Sequence, residues 1–276
     1  MLISVIIPTY NRAELLAECV HSVVAQTLPP AEVLIIDDGS TDHTAQVVAQ
    51  LARESALVIN YIHQENRGAA AARNTGIRAA RGDILCFLDS DDRFVPEKIA
   101  SQAARLRTSP CLLSHTRELW LRRGLPLSQK KKHQSPHGDI FRASLAMCVV
   151  GMSTVMARRE VFDRYGLFDE TLPCCEDYDF WLRVGSRERF LLVDQPLTVK
   201  NGGRQDQLSV RYRMGMDRYR IRSLVKLLEG GWLSAEQSLL AVRELERKCA
   251  IYGRGCIKHG RSEEGNAVLQ LPARFR

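Results

Sequence analysis

The chain has 276 residues, of which 45% are hydrophobic and 26% charged, so it can bury a large core and form one large domain with an appendage. Its formal net charge of +7 favours an anionic partner, which would be a phosphorylated substrate, an acidic membrane surface or a nucleic acid. The apolar runs are too short to cross a bilayer, Met1 leads directly into a strand-like run, and the eight cysteines form no CxxC pair. These features predict a cytoplasmic protein without a signal peptide, a membrane anchor or a disulfide framework.

The first hundred residues alternate between short apolar runs and segments with helical apolar spacing. The runs lie at residues 2–8, 32–36, 57–63 and 84–88. Such alternation is typical of βαβ units, and it predicts an α/β fold with a mostly parallel central sheet covered by helices. The first helix is expected to end before Pro29-Pro30, and Thr41 or Asp42 is expected to cap the second.

The alternation weakens after residue 110. A polar stretch at residues 122–136, which contains Arg123, Lys131 and Lys132, predicts a mobile loop, and strand-like runs resume at 153–157 and 190–193. From residue 208 onward the apolar spacing is helical throughout. We therefore predict a main domain at residues 1–207 and a C-terminal helical region at residues 208–276.

Polar side chains follow three of the first four predicted strands. Because ligands bind at the carboxyl ends of the strands in an open parallel sheet, these residues are expected to share one crevice. The three segments are Pro8-Thr9-Tyr10-Asn11-Arg12, Asp37-Asp38-Gly39-Ser40-Thr41-Asp42 and Asp89-Ser90-Asp91-Asp92.

The segment Asp89-Ser90-Asp91-Asp92 brings three carboxylates to the end of a buried strand, where their repulsion is costly unless a cation lies between them. Hard oxygen ligands suit Mg²⁺ or Mn²⁺, held by one or two side chains and by the oxygens of a substrate diphosphate. Such a metal would neutralise the charge of a departing diphosphate. The alternative is that these acids cap the helix expected near Pro96.

Other residues at the strand ends suit a nucleotide. Asp38 would accept a hydrogen bond from a base or a ribose, and Tyr10 offers a flat face for stacking, although the Asp-Asp-Gly sequence is by itself an ordinary turn. Arg67 and Arg73 flank small residues at a helix start, where backbone N–H groups and positive charge favour phosphate. A solvated helix face is the alternative for these arginines.

A second acidic group lies in the segment Cys174-Cys175-Glu176-Asp177-Tyr178-Asp179-Phe180-Trp181, before an apolar helical run. It combines carboxylates, which can deprotonate a hydroxyl, with aromatic rings, which bind sugars. Trp181 is expected to contact an acceptor. The alternative is that the acids only cap the helix.

The order of these motifs resembles the family 2 glycosyltransferases, which have the GT-A fold. The resemblance covers residues 3–210 and rests on the segments VIIPTYNR, IIDDGSTD, ENRGAAAARNTGI, FLDSDDRFVP and CEDYDFWLR. It implies transfer of a sugar from a nucleotide-diphosphate donor, with UDP favoured as the nucleotide, to a hydroxyl of a saccharide or lipid-linked acceptor. Bacterial-type surface polysaccharide or glycolipid synthesis is the implied setting. Residues 1–110 would be the donor-binding half of the catalytic domain and residues 111–207 its acceptor-side half.

The resemblance also implies roles for individual positions. Asp91, together with Asp89, would bind the metal, and Asp177 would be the general base, oriented by Glu176. Thr9, Tyr10 and Asp38 would surround the nucleobase and ribose, with Asp89 near the ribose. The whole donor-binding set is Pro8, Thr9, Tyr10, Arg12, Asp38, Arg73, Asp89, Ser90 and Arg204.

The implied mechanism is a single inverting displacement. Asp177 removes the acceptor proton, while the metal and Arg73 stabilise the departing nucleotide diphosphate. Many relatives place a metal-binding histidine after the last strand, where this chain has Arg204. A guanidinium cannot bind a metal but can hold a diphosphate through two hydrogen bonds, so the metal affinity is expected to be weaker.

Two other functions remain open. A nucleotidyltransferase that makes nucleotide sugars would use a similar sheet, but its glycine-rich loop after the first strand is absent here. A catalytically inactive basic binding protein would explain the charge but not the acids at three strand ends. No nucleic-acid partner is expected. The arginine-rich run at residues 211–228 would form a peripheral helix at the inner face of the membrane, or a helix packed on the catalytic domain with its arginines in solvent.

Overall fold

A computed structural model describes residues 1–122, 124–130 and 133–275. Within these ranges nine strands form one sheet, in the spatial order β3-β2-β1-β4-β8-β6-β9-β5, with β7 paired to β6. In chain order the strands are β1 (Ile3–Thr9), β2 (Glu32–Asp37), β3 (Ile59–His63), β4 (Ile84–Phe87), β5 (Arg93–Phe94), β6 (Leu113–Arg122), β7 (Leu125–Pro126), β8 (Met156–Arg158) and β9 (Phe190–Gly202).

Helices cover the sheet and form the C-terminal region. Short 3₁₀ helices lie at Met152–Thr154 and Leu271–Phe275. The α-helices are α1 (Ala13–Val24), α2 (Thr44–Glu54), α3 (Ala69–Ala79), α4 (Lys98–Arg107), α5 (Phe141–Ala146), α6 (Glu160–Tyr165), α7 (Glu176–Gly185), α8 (Leu208–Arg211), α9 (Met216–Glu229), α10 (Ala235–Lys258) and α11 (Ser262–Gln270).

The first half of the sheet is parallel, as the alternation of runs predicts. Strand β1 pairs in parallel with β2 and β4, and β2 pairs in parallel with β3. Every residue of β2 and β4 is buried, because helices cover both faces of the sheet. Helix α1 ends at Val24, before the two prolines. Asp42 stabilises the start of α2 by accepting bonds from the N–H and hydroxyl of Thr44.

The second half of the sheet is mixed, because β8 runs antiparallel to both β4 and β6. Strands β6 and β9 are parallel to each other, and β5 is antiparallel to β9. The 3₁₀ helix before β8 passes the end of β4, where the Ser153 hydroxyl accepts a hydrogen bond from the Asp89 N–H at 3.1 Å. The acceptor-side half is thereby attached to the strand end that carries the acidic cluster.

The polar stretch predicted as a mobile loop contains an ordered hairpin. Strands β6 and β7 pair antiparallel, with Leu121 opposite Pro126 and Arg122 opposite Leu125. The loop prediction is therefore wrong for this part of the stretch, because cross-strand hydrogen bonds fix its backbone. Arg123, Lys131 and Lys132 lie outside the described residues.

The C-terminal helices share a hydrophobic core with the preceding part of the chain. This core joins residues of α5, α7, α9 and α10, and it buries Ile221, Leu224 and Leu227 of α9. The apolar face of α9 therefore packs on protein, which favours the second of the two alternatives for residues 211–228; contact with a membrane surface stays a prediction. No helix in the described ranges is long and apolar enough to span a membrane.

Candidate active site

Asn11 joins the loops that follow β1 and β2. Its side-chain oxygen accepts hydrogen bonds from the backbone N–H groups of Thr41 and Asp42, and its own N–H donates to Ser40 Oγ at 2.8 Å. The Asn11 φ of 50° lies in the left-handed region, which asparagine tolerates better than most residues. The sequence places Asn11 in the crevice segment after the first strand but gives it no role of its own.

Asp38, predicted near the nucleoside, anchors the turn that leads into α3. Its carboxylate accepts hydrogen bonds from Gln64 Nε2 at 2.7 Å and from the backbone N–H groups of Arg67 at 3.0 Å and Gly68 at 2.7 Å. Gly68 has a φ of 89°, so this turn requires glycine. The carboxylate thus shapes one wall of the crevice, and a direct nucleoside contact stays a prediction.

The residues at the end of β1 differ in their exposure. Pro8 is paired with Ile36 inside the sheet. The Thr9 hydroxyl is buried and has no hydrogen-bond partner among the described residues. Tyr10 is 46% exposed, so its ring is accessible at the rim of the crevice. A buried hydroxyl beside an accessible ring is an arrangement that a nucleoside would complete.

Arg73 connects the donor-binding half to the acceptor-side half. Its guanidinium donates one hydrogen bond to Asp89 Oδ1 at 2.7 Å and another to Glu176 Oε1. Asp89 follows β4, whereas Glu176 is the first residue of α7. Arg73 is only 5% exposed, and both terminal nitrogens donate to carboxylates. In this structure Arg73 therefore joins two acidic groups, and a contact between Arg73 and phosphate stays a prediction.

The charges of this triad are mutually dependent. Burial opposes the charge of Arg73, but Asp89 and Glu176 outweigh it and raise the pKa of the guanidinium. Burial alone would raise the pKa of Asp89, yet Arg73 and Lys200 hold it below its usual value. The pKa of Glu176 is raised by burial and by the neighbouring charge of Asp177. Removal of Arg73 would therefore leave two poorly solvated carboxylates.

Asp91, the predicted metal ligand, lies between two arginines. Arg12 Nη1 is 3.1 Å from Asp91 Oδ1, and Arg204 Nη2 is 3.1 Å from Asp91 Oδ2. Asp206 contacts both arginines, at 3.1 Å from Arg12 and 2.9 Å from Arg204. The Gln207 amide donates a further bond to Asp91 at 3.2 Å. The loop after β9 thus covers the acidic segment after β4, and its Arg204 and Asp206 form ion pairs there with Asp91 and Arg12.

In this structure, protein groups relieve the repulsion among the acids after β4. Arginines compensate Asp89 and Asp91, and Asp92 accepts bonds from the Ser153 hydroxyl at 2.7 Å and the Asn201 N–H at 3.3 Å. Burial, followed by the charges of Asp91 and Asp89, raises the pKa of Asp92 to about 8. Ser90 is buried between these acids. In the described part of the chain, no three His, Cys, Asp or Glu side chains form a metal-binding group.

Asp177 lies in the first turn of α7, next to Glu176. The residue before the helix, Cys175, has a φ of 64°, a left-handed conformation that is strained for a cysteine. The Cys148 thiol lies 3.4 Å from Asp177 Oδ2, and Asp177 Oδ1 accepts from the Tyr178 N–H at 2.7 Å. The orientation of this carboxylate is therefore set from two sides.

Trp181 does not contribute an accessible ring to the site. It is 1% exposed and packs edge-on against Phe180 and Phe190 at centroid distances of 5.0 and 5.7 Å. A ring enclosed on all sides cannot stack on a sugar. The prediction that Trp181 contacts the acceptor is therefore wrong. Phe190 of β9 packs against the Trp181 ring, and the sequence of α7 alone does not show this contact.

Two charged residues of the site were not predicted. Lys200 Nζ on β9 lies 3.7 Å from Glu118 Oε1 on β6. Glu118 raises the pKa of the half-buried Lys200, and Asp92, Asp89 and Asp177 add to this effect. Lys200 therefore lies among the acids of both halves. Neither residue belongs to a sequence motif of the strand ends, so only the pairing of β6 with β9 identifies them.

Known proteins resemble this chain in sequence over part of their length. An uncharacterized glycosyltransferase of Rickettsia conorii is 36% identical over 202 residues, which cover 71% of this chain and 32% of that protein. The putative teichuronic acid biosynthesis glycosyltransferase TuaG of Bacillus subtilis is 35% identical over 160 residues, which cover 58% of this chain and 63% of TuaG. The chain thus spans about a third of the first relative and less than two thirds of the second.

Solved structures resemble it over nearly its whole length. Residues 1–349 of Staphylococcus aureus TarS in complex with UDP-GlcNAc superpose with a TM-score of 0.76 at 20% identity, covering 100% of this chain and 80% of that one. The mannosyltransferase PcManGT of Pyrobaculum calidifontis, in complex with GDP-Man and Mn²⁺, has a TM-score of 0.63 at 20% identity, covering 99% and 79%. The shared architecture is the predicted GT-A fold. The sequence model of the family described as glycosyl transferase family 2 matches residues 4–166, and the chain belongs to that family.

Proposed function

We propose that the protein is an inverting glycosyltransferase that moves a sugar from a nucleotide-diphosphate donor to a hydroxyl of a saccharide or lipid-linked acceptor. The observation that carries the proposal is the position of Arg73, which joins Asp89 at the end of β4 to Glu176 at the start of α7. A donor-side acid and the residue beside the candidate base thereby belong to one charged cluster. Charged groups with perturbed pKa values that lie together at strand ends are typical of functional sites.

The donor would bind across the ends of β1, β2 and β4. Its nucleoside would stack on the accessible Tyr10 ring and satisfy the buried Thr9 hydroxyl. Its diphosphate would replace Asp91 and Asp206 as the partner of Arg12 and Arg204, because a guanidinium binds phosphate oxygens in the same geometry as carboxylate oxygens. Asp91 would then be released from these ion pairs.

The residues fit a divalent metal held by a single side chain. Asp91 offers hard oxygen ligands beside the expected diphosphate, and Mg²⁺ and Mn²⁺ are commonly bound by one or two carboxylates together with substrate phosphates. When bound, Mn²⁺ or Mg²⁺ would neutralise charge on the diphosphate leaving group. Asp91 is the residue that we propose holds it, with Asp89 beside it.

Asp177 would act as the general base at the acceptor hydroxyl. The adjacent Cys148 thiol and Tyr178 N–H orient its carboxylate, and Glu176 supports the start of α7 through its pair with Arg73. Asp177 would take the proton as the acceptor oxygen attacks the anomeric carbon from the face opposite the departing diphosphate, so the configuration inverts. No covalent intermediate on the protein is needed.

The comparisons support the choice of donor and pathway. The TarS structure contains UDP-GlcNAc, and TuaG is named for teichuronic acid biosynthesis. We therefore propose UDP as the donor nucleotide and a surface polysaccharide or glycolipid as the product. GDP is the second nucleotide to test, because PcManGT was solved with GDP-Man.

The test is release of nucleoside diphosphate from a panel of UDP- and GDP-sugars with Mn²⁺ and candidate acceptors. Asp177→Asn should lower kcat by about 10² to 10⁴-fold while leaving UDP binding unchanged, because the amide cannot take the proton. Asp163→Asn, at an exposed position on α6, is the matched control and should retain activity.

Three outcomes would contradict the proposal. Full activity of Asp177→Asn would remove the assignment of the base. Release of pyrophosphate from a nucleoside triphosphate would indicate a nucleotidyltransferase. Absence of any turnover by the wild type across the panel would favour a binding protein on the same scaffold.

A further inference from the structure

A group of three side chains lies on the acceptor side of Asp177, outside the donor cluster. Trp120 pairs with Lys200 across β6 and β9, and Glu118, two residues before Trp120, lies on the same face of the sheet. The Trp120 Nε1–H donates to Glu118 Oε2 at 2.5 Å, and Lys200 Nζ lies 3.7 Å from Glu118 Oε1. We call Glu118, Trp120 and Lys200 the indole patch.

The segment before β8 connects the indole patch to the candidate base. At one end of this segment the Cys148 thiol lies 3.4 Å from Asp177 Oδ2. At Gly151 a Cβ atom would lie 2.3 Å from Glu118 Oε1 and 3.6 Å from Lys200 Nζ. Only Val149 and Val150 thus separate the residue that contacts the base from the residue that contacts the patch. Glu118 Oε1 lies against Gly151, and any side chain at Gly151 would clash with it.

The indole patch has unused binding capacity. Glu118 Oε1 is buried and has no hydrogen-bond partner among the described residues, since Lys200 at 3.7 Å is too far for one. A buried carboxylate oxygen without a hydrogen bond is costly, and a ligand hydroxyl would satisfy it. Trp120 is partly exposed, with the His133 ring against it at a centroid distance of 5.0 Å. An indole face beside an acceptor oxygen suits a pyranose, which presents C–H groups on one face and hydroxyls at its edge.

The charge around the patch selects among sugars. Within the patch, Lys200 Nζ lies 3.7 Å from Glu118 Oε1, so one acid and one base already balance each other. A carboxylate- or phosphate-bearing sugar that approached Glu118 would place a second negative charge beside the Glu118 carboxylate. An uncharged pyranose would add none.

We propose that Glu118, Trp120 and Lys200 form the acceptor subsite and that it takes a saccharide ending in an uncharged pyranose, stacked on Trp120 and hydrogen-bonded to Glu118. The inference rests on the proposed function, because it uses Asp177 as the base that the acceptor hydroxyl must reach. It transfers the aromatic acceptor contact from the enclosed Trp181 to Trp120.

The experiment compares Trp120→Ala and Trp120→Phe with Trp232→Ala, a matched removal of a partly exposed tryptophan that packs near Tyr165. Binding of uncharged methyl pyranosides is measured by saturation-transfer NMR, and transfer to the best of them is measured with an active donor. Trp120→Ala should raise the acceptor KM about 10-fold or more and leave the donor KM unchanged, because it removes the stacking face. Trp120→Phe keeps a ring and should lie between Trp120→Ala and the wild type.

The binding results test the acceptor subsite independently of the proposed sugar transfer. Loss of pyranoside binding in Trp120→Ala, with binding retained in Trp232→Ala, supports the subsite even if no donor is turned over, in which case only the proposed function fails. Equal binding by both variants overturns the subsite. Equal or tighter binding of a methyl glucuronoside overturns the preference for uncharged sugars. Trp120→Ala could not be assayed if it unfolded below the assay temperature, and Trp120→Phe and Glu118→Gln would then decide. An acceptor KM unchanged in Trp120→Phe, together with pyranoside binding unchanged in Glu118→Gln, overturns the proposal.

Discussion

The two ends of the candidate site are built differently. At the donor end, Thr9 is the last residue of β1, Asp38 directly follows β2, and Asp91 lies four residues after β4, so their location comes from local order along the chain. At the acceptor end, Glu118 and Lys200 lie within two long strands whose pairing joins distant segments, and Cys148 comes from the irregular segment before β8. A functional residue that ends a strand is visible in sequence, whereas one placed by pairing depends on a register that only the folded chain defines.

Arg73 gives the largest expected effect, because it connects the two ends. Arg73→Met should lower the free energy of unfolding by about 3–5 kcal/mol, since it leaves the buried Glu176 carboxylate and the partly buried Asp89 carboxylate without their partner. Arg78→Met, on the exposed face of the same helix, should change it by less than about 0.5 kcal/mol. Urea unfolding of both variants measures the difference. A loss below about 1 kcal/mol in Arg73→Met would mean that the two ends are energetically independent.

The acceptor-side strands can be probed separately by pH. His115 on β6 is fully buried against Phe190, and burial lowers its pKa to about 4, compared with about 6.5 in an unfolded chain. The unfolded state therefore binds the proton first as the pH falls. The contribution of His115 to stability is complete above pH 6.5 and is lost between about pH 6.5 and 4, by about 3 kcal/mol in total.

Chemical denaturation at several pH values tests this dependence. His115→Asn should reduce the slope of the unfolding free energy against pH over that interval by the equivalent of up to one bound proton. His259→Asn, at an exposed histidine after α10, should leave the slope unchanged. A profile of His115→Asn that parallels the wild type would show that another group is responsible.

Substitution of Arg204 tests the donor end of the site, and its expected effect is the smallest of these predictions. Arg204→Ala should weaken UDP binding in the presence of Mn²⁺ about 10-fold, or about 1.4 kcal/mol, because one of the two guanidinium groups for the diphosphate is lost. Arg213→Ala, at an exposed arginine after α8, should bind UDP normally. Isothermal titration calorimetry measures both. Tighter binding by Arg204→Ala would instead mean that Arg204 blocks Asp91 and does not serve the diphosphate.

The two tryptophans show where sequence reasoning succeeded and where it could not. The parallel strands, the polar strand ends and the position of Asp177 at a helix start all follow from periodicity and local composition. The burial of Trp181 depends on Phe190, which β9 brings into contact. The face occupied by Trp120 depends on register shifts in the β6–β9 pairing between Thr116 and Glu118. A shift of one residue would turn Trp120 to the opposite face, and no local pattern specifies it.

The bond between Arg73 and Glu176 spans 103 residues of chain, and this has a consequence for how the protein matures. During synthesis the first parallel strands and α3 are complete long before α7 exists, so the guanidinium must stay hydrated until its partner arrives. Contacts between such distant residues form late, after the entropy of closing the intervening loop has been overcome. Under the proposed function, the nascent chain would form its donor-binding strand ends before the proposed base at Asp177, and sugar transfer would begin only after both halves had docked.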